Sequence, residues 1–347
     1  MSGVAIAVAG AGLIGRKHIA ALEKSSVARL AAIVDPSPGV ADLARALGVP
    51  HLGTLADLGG VDGVILATPT ALHLPQALDC VARGWPVLVE KPVAVTAADG
   101  LTLARAADAA GVPVLVGHHR RHNPRIAAAH EVLQAGRLGR VISVQASVLL
   151  CKPDEYFAPD WRRAPGAGPL RTNLIHEIDT LRHLLGEVLA VQAVTSNAVR
   201  GFVVEDTAVA LLHFASGALG TVTVSDATAA PWSWELTAAE NPDFPPTGQN
   251  CLMIAGSHAS LEVPGLRLWH HGAGPRSWLA PMQSEVLPVT DADPLIRQID
   301  HFAAVIRGEA APLVDARDAT RSVAVVDAIL RAALSTQREV IDEGTIP

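Results

Sequence analysis

Residues 4–15 read VAIAVAGAGLIG, six small apolar residues followed by three glycines spaced G-x-G-x-x-G. A short run with no polar residue in it fits a strand covered on both faces, as in a parallel sheet. In that setting the glycines let the backbone turn tightly and come close to a pyrophosphate. The phosphates then rest on the N–H groups and the positive end of the helix that follows. Asp35 closes the next apolar run, 20 residues after Gly15, where a carboxylate can accept both ribose hydroxyls of an adenosine. Its charge repels a 2'-phosphate, so NAD is expected rather than NADP.

Working outward, further apolar runs LAAIVD (30–35), DGVILAT (62–68), PVLVE (86–90) and VPVLVG (112–117) are separated by helical stretches such as HLPQALDCVARG and AADGLTLARAADAAG. Runs of this length joined through helices predict a doubly wound parallel sheet. After residue 139 the period changes to two. VISVQASVLL, LAVQAVTSN, TAVALLHF, LGTVTVSD, WELTA, CLMIAG and LRLWH read as strands of a large, mainly antiparallel sheet. In the first of these, Ser143, Gln145 and Ser147 share one face while Ile142, Val144, Ala146 and Val148 share the other. The segments 173–186, 293–308 and 317–334 read as helices. The expected fold is therefore an α/β Rossmann domain over 1–120 followed by an α+β domain over 121–347 with an open-faced sheet, its C-terminal helices packing back on the first domain.

The bulk numbers exclude several classes. With 347 residues, half of them apolar, the chain builds a large core in about two domains. A net charge of -7 without basic runs argues against nucleic acid and anionic membrane surfaces. The three cysteines, Cys80, Cys151 and Cys251, lie far apart and in no CxxC pair, which fits a reducing cytoplasm. No signal peptide is read at the N-terminus, and no segment approaches the ~20 apolar residues of a membrane helix.

Two loops at strand ends carry polar chemistry. ATPTALH (67–73) places Thr68, Pro69 and His73 at the carboxyl edge, where a dinucleotide lies. VLVEKP (87–92) ends in Glu90 and Lys91, and Lys91 is one of only four lysines, with Lys17, Lys24 and Lys152, in an arginine-rich chain. A lysine beside a substrate hydroxyl and a cationic nicotinamide ring has a lowered pKa and can take part in proton transfer. In GHHRRHNPRI (117–126), His118, His119 and His122 have spacings that could meet a metal on a helix. Strand alternation separates the first two, and no carboxylate or cysteine is near in sequence, so no metal is expected.

G-x-G-x-x-G near the N-terminus, TPTALH, VLVEKP and a later H-x-x-D, His176 to Asp179 after a glycine-rich loop, follow in an order that resembles the glucose-fructose oxidoreductase / inositol dehydrogenase / rhizopine-catabolism (Gfo/Idh/MocA) family of NAD(P)-dependent oxidoreductases. The resemblance spans nearly the whole chain, and EKP is its most diagnostic part. It implies that Lys91 and His176 are the catalytic pair at the nicotinamide and the reacting hydroxyl. It departs at Thr172, which stands where similar members carry an Asp, and at His122, which stands where they carry an aromatic residue.

The cofactor set is then Gly10, Gly12, Leu13, Ile14, Gly15, Asp35, Thr68, Pro69, His73, Glu90 and Lys91. The substrate set is His119, Arg121, His122, Arg162, Thr172, Asn173 and His176. Arg120, Arg121, Arg125, Arg162, Arg163 and Arg171 fall in segments expected to border the pocket, which favours an anionic substrate. The expected activity is NAD-dependent oxidation of a secondary alcohol on a cyclic polyol, sugar or hydroxy-acid, or the reverse reduction, by a cytoplasmic homodimer or homotetramer. The alternative is a non-catalytic dinucleotide or sugar sensor on the same fold. A glycoside hydrolase using bound NAD would need a metal constellation that the sequence does not offer.

Overall fold

The run that opens the sequence forms β1 (Val4–Ala9) in a computed structural model of the chain, which describes residues 3–341, and all six of its side chains are buried. It pairs in parallel with β2 (Ala28–Val34) on one side and β4 (Gly63–Leu66) on the other. With β3 (His51–Leu52), β5 (Val87–Val89) and β6 (Val114–Val116) the sheet has the order β3-β2-β1-β4-β5-β6. The order reverses between β1 and β4, and at such a switch point the carboxyl ends of parallel strands leave a crevice for a ligand. Helices α1 (Leu13–Lys24), α2 (Ala41–Ala46), α3 (His73–Ala82) and α4 (Ala97–Ala110) connect the strands. The two-residue β3 is too short to leave a periodic signal in the sequence.

The chain divides into two compact units. The first holds the residues up to His122 together with a returning segment, Asp293–Val323. Within that segment α9 (Pro294–Ile306) packs on the parallel sheet and α1, and its Ile299, Phe302 and Ala303 are fully buried in one cluster with Val4, Ile6 and Val8. A fully buried phenylalanine contributes roughly 1.5–3 kcal/mol through the apolar area it removes from water.

The second unit holds Asn123–Ala292 and the chain from Ala324 onward. Its nine-stranded sheet has the order β14-β13-β12-β11-β7-β10-β9-β8-β15. The strands are β7 (Val141–Leu149), β8 (Val188–Ser196), β9 (Thr207–Phe214), β10 (Leu219–Ser225), β11 (Leu252–Gly256), β12 (Ala259–Val263), β13 (Arg267–His270), β14 (Gln283–Val286) and β15 (Glu339–Val340). The β7–β10 pair is parallel and the other pairs are antiparallel. On one face Ala210, Val222, Ala146 and Leu252 lie in register, all buried, and α5 (Pro124–Gln134), α6 (Pro169–Thr172) and α7 (Leu174–Leu185) pack against the sheet. The register row Leu211, Thr221, Gln145, Met253 points the other way, with Leu211 45% and Met253 37% exposed. Ile142, expected on the apolar face, is 55% exposed at the start of its strand.

WELTA is not a strand. It forms the short helix α8 (Trp234–Thr237), because the Ser233 side chain caps it by accepting from the Leu236 N–H, and Trp234 and Thr237, one turn apart, are the residues it buries. The last helix, α10 (Ala316–Ser335), contains the division between the units.

Candidate functional site

In the first unit the glycine loop and the ends of β2, β4, β5 and β6 collect at the carboxyl edge of the parallel sheet. Gly10 has a φ of +90°, and a side chain there would also strike the Ala67 carbonyl at 2.6 Å. At Gly15 a Cβ would fall 1.9 Å from the Gly10 carbonyl oxygen, so only glycine lets α1 start this close to the loop. Gly12 is different: it is exposed, caps α1 without a side-chain bond, and a Cβ there would meet no atom within 4 Å. The open space therefore lies where backbone N–H groups at the helix start can meet phosphate, and the loop fits a dinucleotide. Leu13 is 82% exposed and Ile14 half-buried on that first turn.

Asp35 accepts from the Ala11 N–H at 2.7 Å and from the Ser37 N–H at 2.8 Å. A carboxylate has about four acceptor positions, so two remain for ribose hydroxyls. Thr68 donates its hydroxyl to Gln76 Oε1 at 2.6 Å, and Pro69 is exposed. His73 is buried. One ring nitrogen lies 2.8 Å from the Thr68 carbonyl oxygen and the other 2.9 Å from that of Pro92, so the ring ties two strand-end loops together.

Glu90 lies beneath the edge, only 4% exposed. Its Oε1 meets His18 Nε2 at 2.7 Å and its Oε2 accepts from the Lys91 N–H at 3.1 Å. Burial by itself raises this carboxyl, but the hydrogen bond from His18 and the electrostatic influence of His18, Lys91 and His119 outweigh it and hold the group down at about 2. Lys91 is half-buried. His18, fully buried in α1, is absent from the candidates drawn from sequence. Its partner is 72 residues away, and the only local signal was its place one turn after Gly15 on the packed face of the helix.

After β6 the histidines and arginines separate. His119 is half-buried and contributes to the field on Glu90. His122 turns inward against His301, with ring centroids 5.2 Å apart, and burial followed by the cationic neighbourhood of His301, His119, Arg297 and Arg121 pushes it down to about 3. Arg121 is buried and paired with Asp318 at 2.6 Å.

In the second unit the candidates gather around the start of α7. His176 is 8% exposed in the first turn, its backbone N–H donating to the Asn173 carbonyl at 3.1 Å, and Asp179 is buried one turn on. Lys152, not singled out as a site residue from sequence, donates to Asn173 Oδ1 at 2.8 Å and lies 3.4 Å from Thr172 Oγ1 and 3.3 Å from Asp226. Burial lowers its pKa, and Asp226 opposes that shift. Lys152, 4.9 Å from the ring centre, and Arg162, at 4.1 Å, both approach the Tyr156 ring. Of the other arginines, Arg125 pairs with Asp291, Arg163 with Asp160 and Arg171 with Asp327. Among the described residues no group of three or more His, Cys, Asp or Glu side chains could hold a metal ion, and no helix is long and apolar enough to cross a membrane.

Residues 4–118 match the family model described as "Oxidoreductase family, NAD-binding Rossmann fold", and residues 126–262 match the "GFO/IDH/MocA C-terminal domain". The chain is 32% identical to the rhizopine catabolism protein MocA of Rhizobium meliloti, over 52% of its own length and 57% of that protein's. It is 33% identical to inositol 2-dehydrogenase 4 of Saccharopolyspora erythraea, over 63% of this chain and 66% of the relative. Both matches span under two thirds of the relative's length. Among solved structures, the WlbA dehydrogenase of Bordetella pertussis in complex with NADH and UDP-GlcNAcA is similar at a TM-score of 0.78 and 27% identity, covering 98% of this chain and 99% of that one.

Proposed function

The chain belongs to the GFO/IDH/MocA oxidoreductase family, and from that membership we propose that it is an NAD-dependent dehydrogenase acting on a secondary alcohol of a cyclic polyol, sugar or related hydroxy-acid. The observation that carries the proposal is the meeting, at one edge of the parallel sheet, of the Gly10–Gly15 loop, the Asp35 carboxylate bonded to that loop, and Lys91 at the end of β5. Residues 1–120 hold the cofactor, through the helix start at Gly12, Leu13 and Ile14, through Asp35 at the ribose, and through the Thr68–Pro69 loop. NAD, when bound, accepts the two electrons and the hydrogen that leave the alcohol carbon. Lys91 holds the hydroxyl oxygen, and His176 takes its proton as the general base. The second unit, with Asn123–Ala292, holds the substrate and associates through its open sheet face as a homodimer or homotetramer in the cytoplasm.

The favoured substrate is anionic. Four of the arginines expected to recognise it are engaged by carboxylates, so this preference rests on Arg162 and on Lys152, which stands beside the uncharged Thr172. The similar WlbA dehydrogenase was solved with UDP-GlcNAcA. The test is a matched panel of neutral inositols, sugars and carboxylated rings, followed by absorbance at 340 nm with NAD and with NADP. Turnover of acids with NAD, with a KM that rises on adding salt, is expected. A folded chain that binds NADH but oxidises and reduces nothing in the panel refutes the dehydrogenase assignment in favour of a sensor. A neutral polyol outperforming every acid refutes only the charge preference.

A further inference from the structure

We propose that Glu90 is a positioning residue for Lys91, held in place by His18, and that this buried pair sets the orientation and the charge state of the lysine ammonium. The proposal rests on the assignment of Lys91 to the reacting oxygen. Glutamate is almost never fully buried unless paired, and Glu90 is confined from three sides. His18 Nε2 lies 2.7 Å from Oε1, the Lys91 N–H donates to Oε2 at 3.1 Å, and Gly117 passes so close that a Cβ there would fall 2.8 Å from Oε1.

Through Oε2 the carboxylate holds the backbone of Lys91, and the charge of the lysine acts on it in turn. The groups of this unit that act on the carboxylate are His18 from α1, Lys91 beside it and His119 from the turn after β6. Glu90 is the single acid among these four, and a negative charge fixed next to an ammonium favours its charged form. His18 lies in the same helix whose start forms the phosphate cradle, one turn beyond Gly15. One rigid element thus joins the cofactor seat to the loop that carries the lysine. A pair that only filled the core would stabilise the fold without affecting how Lys91 titrates.

Because the chain has four lysines, ¹³C-methylation of the lysine amines gives a spectrum simple enough to follow each one, with Lys91 assigned by its loss in Lys91→Arg. Glu90→Gln keeps the shape and removes the charge. The expected result is a Lys91 midpoint lowered by about one pH unit, a kcat reduced about 10- to 100-fold, and a Kd for NADH within about threefold of the parent. A folded Glu90→Gln protein whose Lys91 midpoint does not move overturns the proposal. Should that variant fail to fold, Gly117→Ala displaces the carboxylate without changing any charge. It should move the midpoint the same way, and an unmoved midpoint there overturns the proposal equally. The resonance is read without turnover, so an enzyme silent on every substrate would refute the dehydrogenase assignment while Lys91 still decides this one.

Discussion

Gly12 and Gly15 lie three residues apart in one loop, yet alanine should harm them in opposite ways. At Gly12 the backbone, with φ -71° and ψ -164°, suits any residue, and an added Cβ meets nothing within 4 Å. The fold should lose only the difference between glycine and alanine as a helix cap, about 0.5–1 kcal/mol, which for a domain of this size lowers Tm by a few degrees at most. The methyl group, however, fills the space through which phosphate must reach the helix N–H groups. A displacement that loses one or two charge-assisted hydrogen bonds should weaken NADH about 10- to 100-fold, or ~1.4–2.8 kcal/mol. At Gly15 the Cβ would sit 1.9 Å from the Gly10 carbonyl oxygen, a backbone atom that cannot rotate away. Overpacking of this kind costs about 1–3 kcal/mol or more, so Gly15→Ala should unfold at clearly lower temperature. Thermal melts without ligand, paired with NADH fluorescence titrations, separate the two effects. A Gly12→Ala protein that binds NADH like the parent would refute the placement of the dinucleotide.

Lys91→Ala and His176→Ala should each lower kcat by roughly 10²–10⁴-fold with little change in NADH affinity, and near-normal turnover by either variant removes that residue from the chemistry. His122 is held at about 3 in the fold against 6.5 as its ordinary value. The unfolded chain therefore takes up the proton first, and stability is lost as pH falls from 6.5 toward 3, by about 2 kcal/mol at pH 5. Denaturant melts of His122→Gln should show a smaller loss between pH 7.5 and 5, and an unchanged loss would contradict the buried neutral ring. The open sheet face, with Val194, Val209 and Leu211 exposed, should be covered in an oligomer, and light scattering that finds only a 36.0 kDa species at micromolar concentration would count against it.

Local chemistry made the first half of the fold legible. Each apolar run of the parallel sheet is a strand, and the glycine spacing marks the loop and α1, because those signals depend on residues that are neighbours in sequence. WELTA misleads for the converse reason. Its Trp and Thr favour strands in isolation, while the cap from Ser233 decides for helix. β12, the segment ASLEV, is too short for its alternation of Ala259, Leu261 and Val263 to stand out. In the site, Asp35 and the glycines were legible because their spacing is fixed by one β-α-β unit. His18, the burial of His122 and the Lys152–Asn173 bond were not, because each depends on elements brought together only by the tertiary fold.

The return of residues 293–323 to the first unit bears on how the chain is made. The parallel sheet needs Ile299, Phe302 and Ala303 to close its core against Val4, Ile6 and Val8, and these emerge only after β7 to β14, eight of the nine strands of the second sheet, have been synthesised. At about 5–20 residues per second the delay is on the order of tens of seconds, during which one apolar flank of the nascent first unit has no cover. A fragment ending at residue 122 should therefore be obtained as an aggregate or as an ANS-binding, poorly protected species. Joining residues 293–323 to it through a flexible linker should restore cooperative unfolding.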